Sequence, residues 1–173
     1  MFLPFPESVD AWRSAAAKRR FEGVLPLSLF TRLVSSLADT EGEVSFVLEF
    51  GSGSVEGVFV RVEAKTSLPL VCQRSLKRFL FEVAINQSLG ILIKEEDEAA
   101  LPEGYEGLLA SDGQVRLLEI IEDELIMALP IIAVDPQSEV VFGVGDRVNA
   151  KSSSQVLLDQ SSSNPFSVLK QLK

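Results

Sequence analysis

The chain has 173 residues, 46% hydrophobic and 24% charged, with no histidine and a single cysteine, Cys72. That is an ordinary composition for one globular domain, and it excludes Ser-His-Asp and Cys-His catalysis, histidine-ligated metals and an internal disulfide. The net charge of −9 is unevenly divided: residues 1–94 carry 11 bases and 10 acids, residues 95–146 one base and 14 acids, and residues 147–173 four bases and one acid. Bulk attraction to nucleic acid is thereby disfavoured, while a local basic patch on the first half stays available for it.

Residues 7–20 (ESVDAWRSAAAKRR) predict a first helix, with Ser8 as N-cap and Lys18, Arg19 and Arg20 suiting its C-terminal dipole. Residues 26–37 predict a second, since Pro26 fits a first turn and Leu29, Leu33 and Leu37 recur at helical spacing. The period then changes. In 43–50 Val44, Phe46, Leu48 and Phe50 alternate with more polar positions, which is a strand with one apolar face. GSGS (51–54) is a hairpin-type loop and 55–63 the return strand. Residues 66–72 read as a third strand, where Pro69 calls for an edge or a bulge, 79–85 as a fourth, and 88–94 as a candidate fifth. The expected fold class is α+β: an antiparallel β-meander, with barrel-like curling open to it, flanked by helices.

Residues 95–104 form an acidic surface loop, 105–109 a candidate short strand, and 114–130 the clearest helix. In that helix Leu117, Ile121, Leu125 and Ala128 follow one face, Glu119, Glu122 and Asp123 lie towards the other, and Pro130 stops it. The serine-rich 150–163 reads as a linker after a domain spanning 1–149. In 164–173 Asn164 can cap, Pro165 fits the first helical position, and Phe166, Leu169 and Leu172 share a stripe, giving a short amphipathic helix on a tether.

Two basic clusters carry the recognition chemistry. Arg74, Lys77 and Arg78 crowd a strand-to-strand turn beside Cys72 and Gln73, and Arg19 and Arg20 join Lys18 near the N-terminus. Arginine forks suit phosphate and lysine adds a point charge, although solubilising surface charge is the simpler reading. Glu122, Asp123 and Glu124 form an acidic partner face rather than a catalytic or metal set, because consecutive helical positions diverge by about 100°. Cys72 reads as a half-buried thiol at a strand end. The Gly51/Gly53 and Gly143/Gly145 pairs lack the strand–glycine–helix context of a dinucleotide site.

Four segments occur in an order that resembles the YceD family of large ribosomal RNA subunit accumulation proteins. They are Val71-Cys72-Gln73-Arg74, Leu101-Pro102-Glu103-Gly104-Tyr105, the helix from Leu117 through Glu122-Asp123-Glu124 to Ala128-Leu129-Pro130, and Asn164-Pro165-Phe166-Ser167-Val168-Leu169. The resemblance implies a bacterial, non-enzymatic factor for 23S ribosomal RNA accumulation and large-subunit biogenesis, which meets ribosomal RNA or a pre-ribosomal large subunit. Many members have cysteine where this chain has Ser75, so no metal or disulfide role for that pair carries over.

No metal, cofactor or small-molecule substrate is expected. No apolar run approaches the roughly 18 residues of a membrane span. The opening MFLPFPESVDAWR lacks a secretory leader's layout, so no membrane partner and a cytoplasmic location are expected. The rival expectation is a protein-binding adaptor without RNA contact. Its acidic block would engage a basic ribosomal protein, and Asn164, Pro165, Phe166 and Leu169 would form a docking motif.

Overall fold

A computed structural model describes residues 6–54, 57–110 and 112–138. The elements in it belong to a unit spanning Met1–Val141. The serine-rich 150–163 and the segment 164–173 lie outside the described residues.

The central feature is a five-stranded sheet in the order β2-β3-β4-β5-β6: β2 (Arg20–Pro26), β3 (Glu43–Gly53), β4 (Gly57–Val71), β5 (Arg78–Leu92) and β6 (Tyr105–Leu109). Alternation builds it. Phe46, Leu48 and Phe50 of β3 lie beside Ala64, Val62 and Val60 of β4 on the buried face. Ser45, Glu49, Arg61, Glu63 and Lys65 line the outer face. The buried face is covered by α1 (Ala11–Ala16), α2 (Thr31–Val34) and α3 (Leu117–Met127), which contribute Ala11, Ala15, Leu33, Leu117, Ile121 and Leu125 to the core. β1 (Ser8–Asp10) and β7 (Gln114–Arg116) form a separate antiparallel pair.

The α+β class with a largely antiparallel sheet and flanking helices holds, with four differences in detail. The helix expected over 7–20 is confined to Ala11–Ala16. Asp10 caps it by accepting from Arg13 N at 2.7 Å, Ser8–Asp10 is drawn into pairing with Gln114–Arg116, and Arg20 is drawn into pairing with Glu49. The expected helix 26–37 shrinks to a 3-10 turn, Leu27–Leu29, and a four-residue α2, because Phe30 breaks the run at φ −88°, ψ 79°.

The third difference lies in strand length. The strands expected at 55–63 and 66–72 are one strand, as are 79–85 and 88–94, and β4 and β5 pair continuously from Phe59↔Gly90 to Val71↔Arg78. Pro69 is tolerated because β3 pairs with β4 only as far as Lys65, which leaves that end of β4 a local edge. Fourth, β6 runs parallel to β5, and the sheet ends at β2 and β6 without closing into a barrel.

Candidate functional site

The turn between β4 and β5 carries Gln73, Arg74, Leu76 and Lys77, all exposed, with Leu76 held at φ +56°. Two segments fix its base. On one side Ala38 N donates to Pro69 O, and Arg78 pairs with Asp39 and Glu41; the Arg78 guanidinium holds the Asp39 carboxyl below the ordinary carboxylate range. On the other, Gln73 N donates to Ala133 O at 2.8 Å, and Asp135 N donates to Cys72 Sγ at 3.4 Å.

Cys72 is fully buried rather than half-buried, so its thiol is a fastening and not a contact surface. Its sulfur lies 3.5 Å from Ser138 Oγ and also accepts from Ser75 N. The Ser138 and Ser75 hydroxyls, with the amides of Asp135 and Ser75 adding to them, bring the Cys72 pKa down to about 6 against the opposing effect of burial.

The cations near the N-terminus are elsewhere. Arg20 lies opposite Glu49, which lies opposite Arg61, while Arg78 lies opposite Val71 at the other end of β4. The ten residue steps from Arg61 to Val71 span about 33 Å. The two basic clusters therefore do not form one patch. Arg20 is further tied to Glu22 and Glu49 at 2.8 and 2.7 Å. Arg19, Arg74 and Lys77 are exposed and make no ion pair among the described residues.

The three α3 carboxylates do not share a face. Asp123 is half-exposed and pairs with Arg32 at 2.6 Å. Glu122, placed outward from its spacing, is turned inward: Oε1 accepts from Arg32 N at 2.7 Å and from Leu33 N at 3.2 Å, and Oε2 accepts from Arg32 Nε at 2.9 Å. It follows Leu118 by four residues on the rim of the apolar stripe, which is the one sequence signal that could have placed it. Glu124 is also buried, and that burial, with Glu106 and Asp123 nearby, raises its pKa above the ordinary 4.5. A carboxyl raised on folding costs no stability below its unfolded pKa and progressively more as pH rises through its folded value. Glu124→Gln is therefore expected to raise the Tm at about pH 7 and to leave it unchanged near pH 4. Equal gains at both pH values would dismiss the buried charge as the cause.

Among the described residues, no group of three or more cysteine, aspartate or glutamate side chains is placed to hold a metal ion, and no helix is long and apolar enough to cross a membrane. Asn164, Pro165, Phe166 and Leu169 lie outside the described residues.

No solved structure matches the chain. A curated relative named Large ribosomal RNA subunit accumulation protein YceD, from Haemophilus influenzae, is 25% identical over 179 residues, covering 99% of this chain and 97% of its own length. A family model described as Large ribosomal RNA subunit accumulation protein YceD matches residues 60–173. That span takes in most of β4, the clamped β4–β5 turn, β6 and α3, and it is about two thirds of the sequence, so the chain belongs to the YceD family.

Proposed function

We propose that this chain is a non-enzymatic bacterial factor that promotes 23S ribosomal RNA accumulation and large-subunit biogenesis by binding RNA or a pre-ribosomal particle in the cytoplasm. Family membership is the observation that carries the reading, with a relative named for that role aligned along nearly its whole length. The engagement of Glu122 and Asp123 by Arg32 supports a structural use for the carboxylates that a catalytic reading would need. Exposed Arg74 and Lys77 on a doubly clamped turn support a phosphate contact.

Deleting the gene should lower the ratio of large- to small-subunit ribosomal RNA, and an unchanged ratio would defeat the role. Arg74→Gln with Lys77→Gln should weaken co-sedimentation with precursor particles and flatten its salt dependence by roughly 0.7–0.9 per cation removed. Unaltered co-sedimentation at low salt would clear this turn of any part.

The adaptor reading has one observation in its favour. The 3-10 segment Glu95–Ala100 presents four consecutive exposed acids, a ready surface for a basic ribosomal protein. Association that survives nuclease and requires residues 164–172 would favour it over RNA contact.

A further inference from the structure

We infer that a depression on the outer sheet face, at the end away from the β4–β5 turn, binds single-stranded RNA; this deepens the role proposed above and rests on it. The sheet register assembles the site. Arg20, Glu49 and Arg61 form one cross-strand row on β2, β3 and β4. Phe59, two residues before Arg61, shares that face and lies over Gly51, where an added Cβ would stand 2.5 Å from its ring. Glycine at that position lets the ring lie down on the strand. Phe59 then meets Tyr105 edge to face, with centroids 5.8 Å apart and planes at 80°. Lys18 comes in from the end of α1. Lys18, Arg20, Phe59 and Arg61 line a depression of about 390 Å³, with Glu49 the one carboxylate on its wall among the described residues.

The backbone at Lys18 gives independent support. After α1, Arg19 N donates to Ser14 O at 2.9 Å and Lys18 N donates to Ala15 O at 3.0 Å. This is the paired closure that ends many helices, and it puts Lys18 at φ +47° in the left-handed region, where glycine is the usual occupant. The fold alone would be served better by glycine. A lysine held against its backbone preference, with its side chain on the wall of a cationic depression, is strain kept for a function of the ammonium group. Lys18 and Arg61 make no ion pair among the described residues and are free for phosphate, while Arg20 is pinned by Glu22 and Glu49 and shapes the wall.

The ligand class follows from the aromatic pair. A duplex hides its base faces and offers a side chain chiefly phosphate and sugar, whereas an unpaired base can stack on a half-open ring. Phe59 supplies such a ring beside the free cations, with Tyr105 packed against it; the β4–β5 turn has cations and an exposed leucine but no aromatic residue.

The test is fluorescence anisotropy of the full chain with a labelled oligouridylate of about 12 nucleotides at about 50 mM salt, alongside a duplex RNA of the same length. Lys18→Gly and Arg61→Gln are each expected to weaken single-strand binding several-fold and to reduce the salt slope by about 0.7. Phe59→Leu should weaken it by roughly tenfold with the slope unchanged. Arg13→Gln, an exposed cation outside the depression, should change little. Lys18→Gly should also raise the Tm, so that its weaker binding cannot be ascribed to unfolding. Binding that survives all three depression variants would overturn this site and leave the broader RNA reading standing. No wild-type binding to single strands, or equal affinity for duplex, would likewise overturn the site, and particle co-sedimentation would then decide the broader reading.

Discussion

Replacing Glu122 with alanine is expected to lower the Tm by roughly 6–12 °C, from a loss of about 3 kcal/mol. Helix α2 is four residues long, and the residue before it, Phe30, provides no side-chain cap. Its first amides, part-buried at Arg32 and buried at Leu33, would otherwise be stranded. Glu122 reaches across from α3 and accepts from two of them, Arg32 N and Leu33 N, while its second oxygen takes the Arg32 guanidinium. One carboxylate thus caps a short helix and ties it to another about 90 residues on. Alanine would leave the amides unpaired and open a gap beside Leu33, which is fully buried. Arg32→Ala should cost less, because its side chain is half-exposed and the amides still hold Glu122. A Tm within about 2 °C of wild type for Glu122→Ala would show that water can take over as the cap.

That carboxylate marks the boundary of what the sequence makes legible. A strict alternation such as Val44-Phe46-Leu48-Phe50 predicts its own strand, because side-chain direction there is a local property. The extent of β4 is not local. Ala64 and Lys65 fall between the two expected strands, yet each has a partner on β5, Ile85 and Ala84, and the ladder runs through. Likewise, nothing within 7–20 says that Val9 will pair with Val115, or that Arg20 will leave the helix for Glu49.

The binding surfaces follow the same rule. Arg74, Lys77 and Arg78 are visible as a cluster because they adjoin in sequence. Phe59 and Arg61 share a face by local alternation, but Lys18 and Arg20 join them only through the β2–β3–β4 register and the turn after α1. Cys72 was legible as a strand-end residue but not as a fully buried one, because its cover comes from residues 135–138.

The parallel strand β6 supplies the second large expected effect. Parallel neighbours need a connection of about a dozen residues that crosses the sheet, and 93–104 is near that minimum. The crossing can lie close because the sheet is bare beneath it. Gly90 of β5 pairs with Gly107 of β6. A Cβ on Gly90 would stand 2.3 Å from Leu101 Cδ2, and one on Gly107 would stand 3.1 Å from Leu92 and 3.3 Å from Glu98. A turn closed by Leu101 N donating to Glu98 O thus rests against glycine backbone. Gly90→Val is expected to cost about 3 kcal/mol, because a branched side chain would claim the space Leu101 fills. Faster amide exchange should accompany the loss at Leu108 and Leu109, since β6 is an edge strand with one neighbour. Leu101→Ala in the same chain should restore at least about 1 kcal/mol, a coupling expected only of residues in contact. Strictly additive effects of the two substitutions would mean that the crossing segment moves aside freely. The cost at Gly90 would then lie in the strand itself and not in the packing above it.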